Sequence, residues 1–300
     1  MNWRDDERRQ CVAAALDGDG TRVDAKGPSH WSVRFPRQPV QVTLSRHWLS
    51  LSRSLPKLRA GAAATRRLLL RNASLDKGRR VVLSQGRLEL CMDLPSAALP
   101  WTEDERLGPL LSDALATLCR GTVSAGGDVA PTETAMSEAA VSETAAFEAA
   151  AQEALLSSFA NVGWPARRQD TGEIEVPLDV PAAYVCARVE TDAVCCVLQV
   201  PILDHELGSA EPVCREAVEW LLCSVASGHR MVKALAIRQQ LRLAVELPAG
   251  LDEGPALASA CEALSVSLRE FWAEGEVLAR DARLAKSFLA AVQGVPLCCG

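Results

Sequence analysis

Three hundred residues, 48% of them apolar and 23% charged, leave room for two packed cores and exclude a chain too polar to fold. A net charge of -6 gives no overall attraction for phosphates, and the early arginines are interleaved with acids in Arg4-Asp5-Asp6-Glu7-Arg8-Arg9, so nucleic acid is not an expected partner. The first residues, Met1 to Asp6, lack the apolar core of a signal peptide and no run approaches ~18 uninterrupted apolar residues. A cytoplasmic protein with no membrane insertion is the expectation.

In chain order, Arg4 to Leu16 reads as an opening helix. Trp31, Val33 and Phe35 then alternate with polar residues, as do Val40, Val42 and Leu44, with Pro36 and Pro39 bracketing the turn between them. Leu49 and Leu51 continue the alternation, which predicts a three-stranded antiparallel meander. A weak central helix around Ala62 to Leu70 follows, then a strand pair ending in Leu88, Leu90, Met92 and Leu94. A closing helix starts at Thr102, which with Glu105 makes a capping box. Residues 121–136, GTVSAGGDVAPTETAM, have the small and turn-forming composition of a linker.

After the linker the same order returns. An Ala- and Glu-rich helix over Ser137 to Ala160 precedes three strands marked by Ile174, Val176 and Leu178, by Val185, Ala187 and Val189, and by Val194 to Ile202. Leu241, Leu243, Val245 and Leu247 mark the last strand pair, and a closing helix begins near Asp252. Its Leu257, Cys261, Leu264, Leu268 and Phe271 recur at intervals of four and three and draw one apolar stripe. That stripe is expected against the sheet of its own unit, or else against a partner helix or the other copy.

Residues 68–77, LLLRNASLDK, lie against 221–230, LLCSVASGHR, and 86–95, GRLELCMDLP, against 239–248, QQLRLAVELP, all at one offset of 153 residues. Leu68 falls on Leu221, Ala73 on Ala226, Leu90 on Leu243 and Pro95 on Pro248, while Asp93 and Glu246 match in charge. A repeat this long predicts a duplicated unit. The expected division is a first unit over 1–120, the linker 121–136, a second unit over 137–293 and a tail over 294–300.

Chemistry-bearing motifs are missing. There is no phosphate loop, nucleophile elbow, HExxH or strand-linked GxGxxG, and the Gly18-Asp19-Gly20 turn is accounted for by its place between a helix and a strand. Eleven cysteines without an export signal, several inside apolar runs such as Cys91, Cys195 and Cys196, read as reduced core thiols, and no pair has CxxC spacing. The four histidines are scattered, so neither a metal nor a cofactor is expected. His205, between Asp204 and Glu206, reads as an exposed loop residue. Trp31, Trp220 and Trp272 suit core or sheet positions, whereas Trp48 and Trp101 adjoin polar turns and are candidates for contact.

The order helix, meander, helix, strand pair, helix, with Leu94-Pro95 and Leu247-Pro248 closing the strand pairs, resembles the small acidic type III secretion chaperones and the YbjN-type proteins that share their fold. The resemblance implies an α+β protein of two tandem α-β-β-β-α-β-β-α units with antiparallel sheets packed on helices. It also implies a bacterial protein that acts without catalysis, holding extended segments of a secreted or other partner across its strands and first helix. Trp31, Val33, Phe35, Val40 and Val42 of the first unit, with Ile174, Val176 and Leu178 of the second, are then the candidate partner-binding residues. Chaperones of this kind are commonly single units that pair, so a tandem is expected to form that pair within one chain, as an intramolecular pseudo-dimer. Two other readings stand beside this one: a structural or regulatory subunit of a larger assembly, docked through the Leu257 to Phe271 stripe, and an enzyme using a thiol such as Cys119 or Cys214.

Overall fold

The computed structural model describes residues 3–17, 22–34, 39–55, 62–73, 75, 78–84, 87–101, 104–119, 152–180, 185–191, 195–237, 239–248 and 254–294. The linker 121–136, Gly18 to Gly20, Phe35 and Thr102 lie outside them. The first unit runs α1 (Trp3–Asp17), β1 (Val23–Gly27), β2 (His30–Val33), β3 (Val40–Leu44), β4 (Trp48–Ser54), α2 (Ala62–Ala73), β5 (Arg80–Ser84), β6 (Arg87–Pro95), a 3-10 turn (Ser96–Ala98) and α3 (Asp104–Cys119). The second runs α4 (152–161), β7 (Arg167–Arg168), β8 (Ile174–Leu178), β9 (Val185–Thr191), β10 (Cys195–Ile202), α5 (Asp204–Gly208), α6 (Pro212–Gly228), β11 (Val232–Ile237), β12 (Gln240–Pro248), α7 (Gly254–Arg280) and α8 (Ala282–Gly294).

Each unit builds one six-stranded antiparallel sheet, and the two have the same strand order, β1-β2-β3-β4-β6-β5 and β7-β8-β9-β10-β12-β11. The α+β class and the tandem of two antiparallel sheets agree with the sequence. Each meander has four strands where alternation shows three. The extra strands, β1 (VDAKG) and β7 (two arginines), lie at sheet edges with part-exposed or exposed side chains and no alternating apolar set, so no apolar period announces them. The charged Asp24 and Lys26 on β1 suit an open edge, where they discourage pairing with other chains.

Alternation decides which face is covered. On β3 and β8 every second side chain is buried, and the apolar set of each sheet joins a core completed by helices. In the first unit Val12 and Leu16 of α1 and Leu107, Leu111 and Leu118 of α3 lie over that face. In the second, Leu155 and Phe159 of α4 do so together with Leu257, Cys261, Leu264, Leu268 and Phe271 of α7, none of those five with any exposed surface. The α7 stripe therefore serves the second unit's own core, and its use as a docking face for another protein is excluded by burial. The segment at His205, expected as a loop, forms the short helix α5.

Gly275 reports how tightly α7 is packed. A Cβ there would stand 2.5 Å from Cζ of Phe271, whose side chain is fully buried. Replacing glycine by alanine inside a helix normally stabilises by about 0.5 to 1 kcal/mol. Here Gly275→Ala is expected to destabilise by about 1 to 3 kcal/mol through overpacking. A denaturant titration in which the variant is as stable as the parent, or more so, would contradict this packing.

Candidate functional site: the junction between the units and its cleft

The two units meet along a pseudo-two-fold junction. α2 of the first unit packs on β11 of the second, α6 of the second reaches β5 of the first, and the two helices touch. Leu69 of α2 belongs to the second unit's core. β5 and β11 are the inner edges of their sheets, so each edge is covered by elements of the opposite unit, one of the standard ways to protect unpaired strand backbone. Asn72 bridges both edges: its Nδ2 donates to the carbonyls of Val81 (3.3 Å) and Ala234 (3.0 Å), while the Val81 N–H donates to its Oδ1 (2.7 Å).

A set of buried charges sits on the axis, repeated at the same offset as the sequence match. Arg80 donates from Nε and Nη2 to Asp93 Oδ2 at 3.1 and 2.7 Å, and from Nη1 to the carbonyls of Ala226 and Val232 across the junction at 2.9 and 3.3 Å. The equivalent pair in the second unit is Lys233 with Glu246, and Lys233 Nζ donates across the junction to the Leu75 carbonyl at 2.8 Å. Met231 N–H donates to Asp93 at 3.4 Å just as Gly78 N–H donates to Glu246 at 3.2 Å. Those two donors occupy one structural position, and both have left-handed backbone, φ 66° for Met231 and 74° for Gly78. A Cβ on Gly78 would stand 3.0 Å from the Glu246 carbonyl oxygen, so glycine permits the close approach there. Arg66 and Glu219, themselves 153 positions apart, pair with each other across the axis at 2.6 Å. Equivalent residues meeting in this reciprocal way is the signature of an isologous interface.

Burial pushes the Asp93 carboxyl up, but the Arg80 guanidinium, the Ser50 hydroxyl (2.6 Å) and Arg230 outweigh it and hold the carboxyl below the usual carboxylate range. The charged form is therefore the resident one.

One side of the junction opens as a cleft of about 720 Å³. Its wall from the first unit carries Arg8, Arg46, His47, Trp48, Ser96 and Ala97, and its wall from the second carries His229, Arg230, Ser259, Glu262, Ala263 and Val266. Arg8 lies over the Trp101 ring at 5.2 Å and donates to the Arg46 carbonyl at 3.5 Å. Arg230 is tethered to Ser50 and to Asp93 (3.2 Å), and His229 meets Glu270 at 2.6 Å. Ser96 is buried, and its hydroxyl has no hydrogen-bond partner. Among the described residues no carboxylate is paired with Arg8 or Arg46. Three guanidinium groups from two units thus line one concavity in a chain whose net charge is negative.

The residues expected to bind a partner are elsewhere. Trp31, Val33, Val40, Val42, Ile174, Val176 and Leu178 are all buried, on the helix-covered faces of the two sheets, and Phe35 lies outside the described residues. The alternation that singled them out marks the covered face, so as side chains they are core and offer a partner no surface. Of the two contact candidates, Trp48 lines the cleft, and Trp101 lies beneath Arg8 with its indole N–H donating to the Ser96 carbonyl at 2.6 Å. The arginines went unnoticed because they are scattered through the sequence at 8, 46 and 230, and only the fold gathers them.

Desolvation raises Cys119 and Cys214, and pushes Cys91 and Cys261 up to about 12, which keeps these thiols protonated and weakly nucleophilic. Cys91, Cys119, Cys186, Cys214, Cys223 and Cys261 form no disulfide. Those residues contain no cluster of His, Cys, Asp or Glu arranged to hold a metal, and no helix long and apolar enough to cross a membrane. Comparison with known proteins adds no relative: no protein-family model matches this chain, and neither a curated protein nor a solved structure matches it significantly.

Proposed function

We propose that this chain is a non-enzymatic protein-binding module, similar in action to type III secretion chaperones, which holds a partner or secreted protein in the cytoplasm. The observation that carries this reading is the fused pair: two sheets of identical strand order joined about a pseudo-two-fold axis. Single-unit chaperones of the resembled kind reach that arrangement by dimerising, and here the pairing surfaces are consumed inside one chain. The cleft then remains as a surface that can take an extended segment by side-chain contact. The raised thiol pKa values weigh against the enzyme reading. A subunit of a larger assembly is the second reading, favoured by Val277 on α7 and Leu284 on α8, each 48% exposed.

The test is capture from native lysate of the source cells with the tagged full chain, followed by reconstitution with whatever purified protein is found. A stoichiometric complex in which the partner stays soluble, and aggregates without the chain, is the expected result. Enrichment of nothing above a tag-only control would remove the reading. A partner that is folded and equally soluble alone would favour the assembly subunit instead.

A further inference from the structure

We infer that the junction cleft recognises an acidic, partly apolar stretch of a polypeptide, with Arg8, Arg46 and Arg230 as its carboxylate-binding groups. The inference rests on the protein-binding reading above and assigns it a place and a chemistry. Guanidinium groups present several N–H donors in one plane and match carboxylates in bidentate fashion. Arg8 and Arg230 are held in place, the first by its stacking on Trp101 and its bond to the Arg46 carbonyl, the second by Ser50 and Asp93, so less ordering entropy is lost when a ligand arrives. Arg46 and His47 are exposed at the rim.

The lining also says what kind of anion fits. Trp48, Ala97, Ala263 and Val266 supply apolar surface beside the arginines, and Val266 is 36% exposed. A bare inorganic anion would leave that surface wet. A nucleic acid would need cationic groups tracking a long backbone, whereas the cleft gathers three guanidinium groups together with the Glu262 carboxylate. A segment in which Asp or Glu alternates with apolar side chains satisfies both parts. Because one wall comes from each unit, the cleft exists only when the two are joined, which ties recognition to the tandem.

The experiment is fluorescence anisotropy with the full chain and three short labelled probes: a peptide alternating Glu with Leu, its counterpart alternating Gln with Leu, and a single-stranded oligonucleotide. The acidic peptide is expected to bind at least about tenfold more tightly than the Gln peptide, with the preference falling as salt rises. Arg46→Gln, an exposed change that leaves the fold intact, is expected to weaken the acidic peptide about tenfold and leave the Gln peptide unchanged. Glu262→Gln removes the opposing charge and is expected to strengthen it. Equal binding of the two peptides, indifference to both substitutions, or tighter binding of the oligonucleotide would each overturn the assignment. Failure here together with a captured partner would locate the binding surface elsewhere and leave the protein-binding reading standing.

Discussion

Asp93→Ala is expected to lower the unfolding free energy by about 3 to 5 kcal/mol, the range for removing one partner of a buried charge pair. The side chain is nearly inaccessible and accepts from Arg80, Ser50, Arg230 and Met231 at once, so its loss strands Arg80 in the interior and releases Arg230 and Met231 across the junction. For a domain-sized cooperative unit that corresponds to a fall in Tm of about 10 °C. The double variant Arg80→Met, Asp93→Leu is expected to lose less than the single one, since a buried pair replaced by apolar side chains leaves no orphaned charge. The acid limb gives a second check. The carboxyl is held below its ordinary value of 3.8, so its contribution is complete above that value and is lost as pH falls through the depressed folded value. The difference between parent and Asp93→Ala should therefore be constant from about pH 5 to 8 and shrink below about pH 4. A difference under about 1 kcal/mol at neutral pH would mean that the buried pair does not hold the junction.

Glu246→Ala, the equivalent change in the second unit, provides an internal comparison. Glu246 is slightly more accessible than Asp93, 11% against 4% of the side chain, and the loss is expected to have the same sign and a smaller size.

How far the sequence reached follows from what periodicity reports. Strands β3, β4, β8, β9 and β10 announce themselves because one face is apolar and the other is not. β1 and β7 do not, since both of their faces see water. The stripe from Leu257 to Phe271 placed α7 correctly and left its partner open, and the fully buried Phe271 settles it in the second unit's core. α8 went unread because the helical pattern runs on past Asp281, where its carboxylate accepts from the Arg283 and Leu284 N–H groups as a cap for a new helix. The junction shows the limit most clearly. Arg80, Asp93, Lys233 and Glu246 sit on the polar side of their strands and look like a solvated face, yet all four are buried or nearly so. Their signal was relational: a cation and an anion recurring at the offset of the repeat. The match of Asp93 with Glu246 was visible, but its meaning depends on which face of each hairpin meets the other unit, and only the packed structure supplies that.

Cutting the chain between residues 121 and 136 is expected to turn one folded protein into two halves that depend on each other. Each half would carry away an unprotected inner edge strand, because α2 covers β11 and α6 covers β5 only when both are present. Each would also expose groups adapted to burial: Leu69 and Asn72 in the first half, and Lys233, only 2% accessible in the whole chain, in the second. An exposed edge beside apolar surface is a template for association, so each half alone is expected to self-pair or aggregate, with a mass above that of one unit. Co-expressed halves should instead co-purify in equal amounts with the 32.1 kDa of the intact chain, which itself is expected to be monomeric. A linker of the small, polar composition of residues 121–136 corresponds to an effective concentration in the ~millimolar range, so halves mixed at ~10 µM lose on the order of 2.7 kcal/mol of apparent stability relative to the joined form. Their melting temperature should rise with concentration while that of the intact chain does not. Light scattering and thermal unfolding at several concentrations decide the matter. Two halves that are separately monomeric, and together melt as they do apart, would show that the units fold independently and that the junction is an accessory contact.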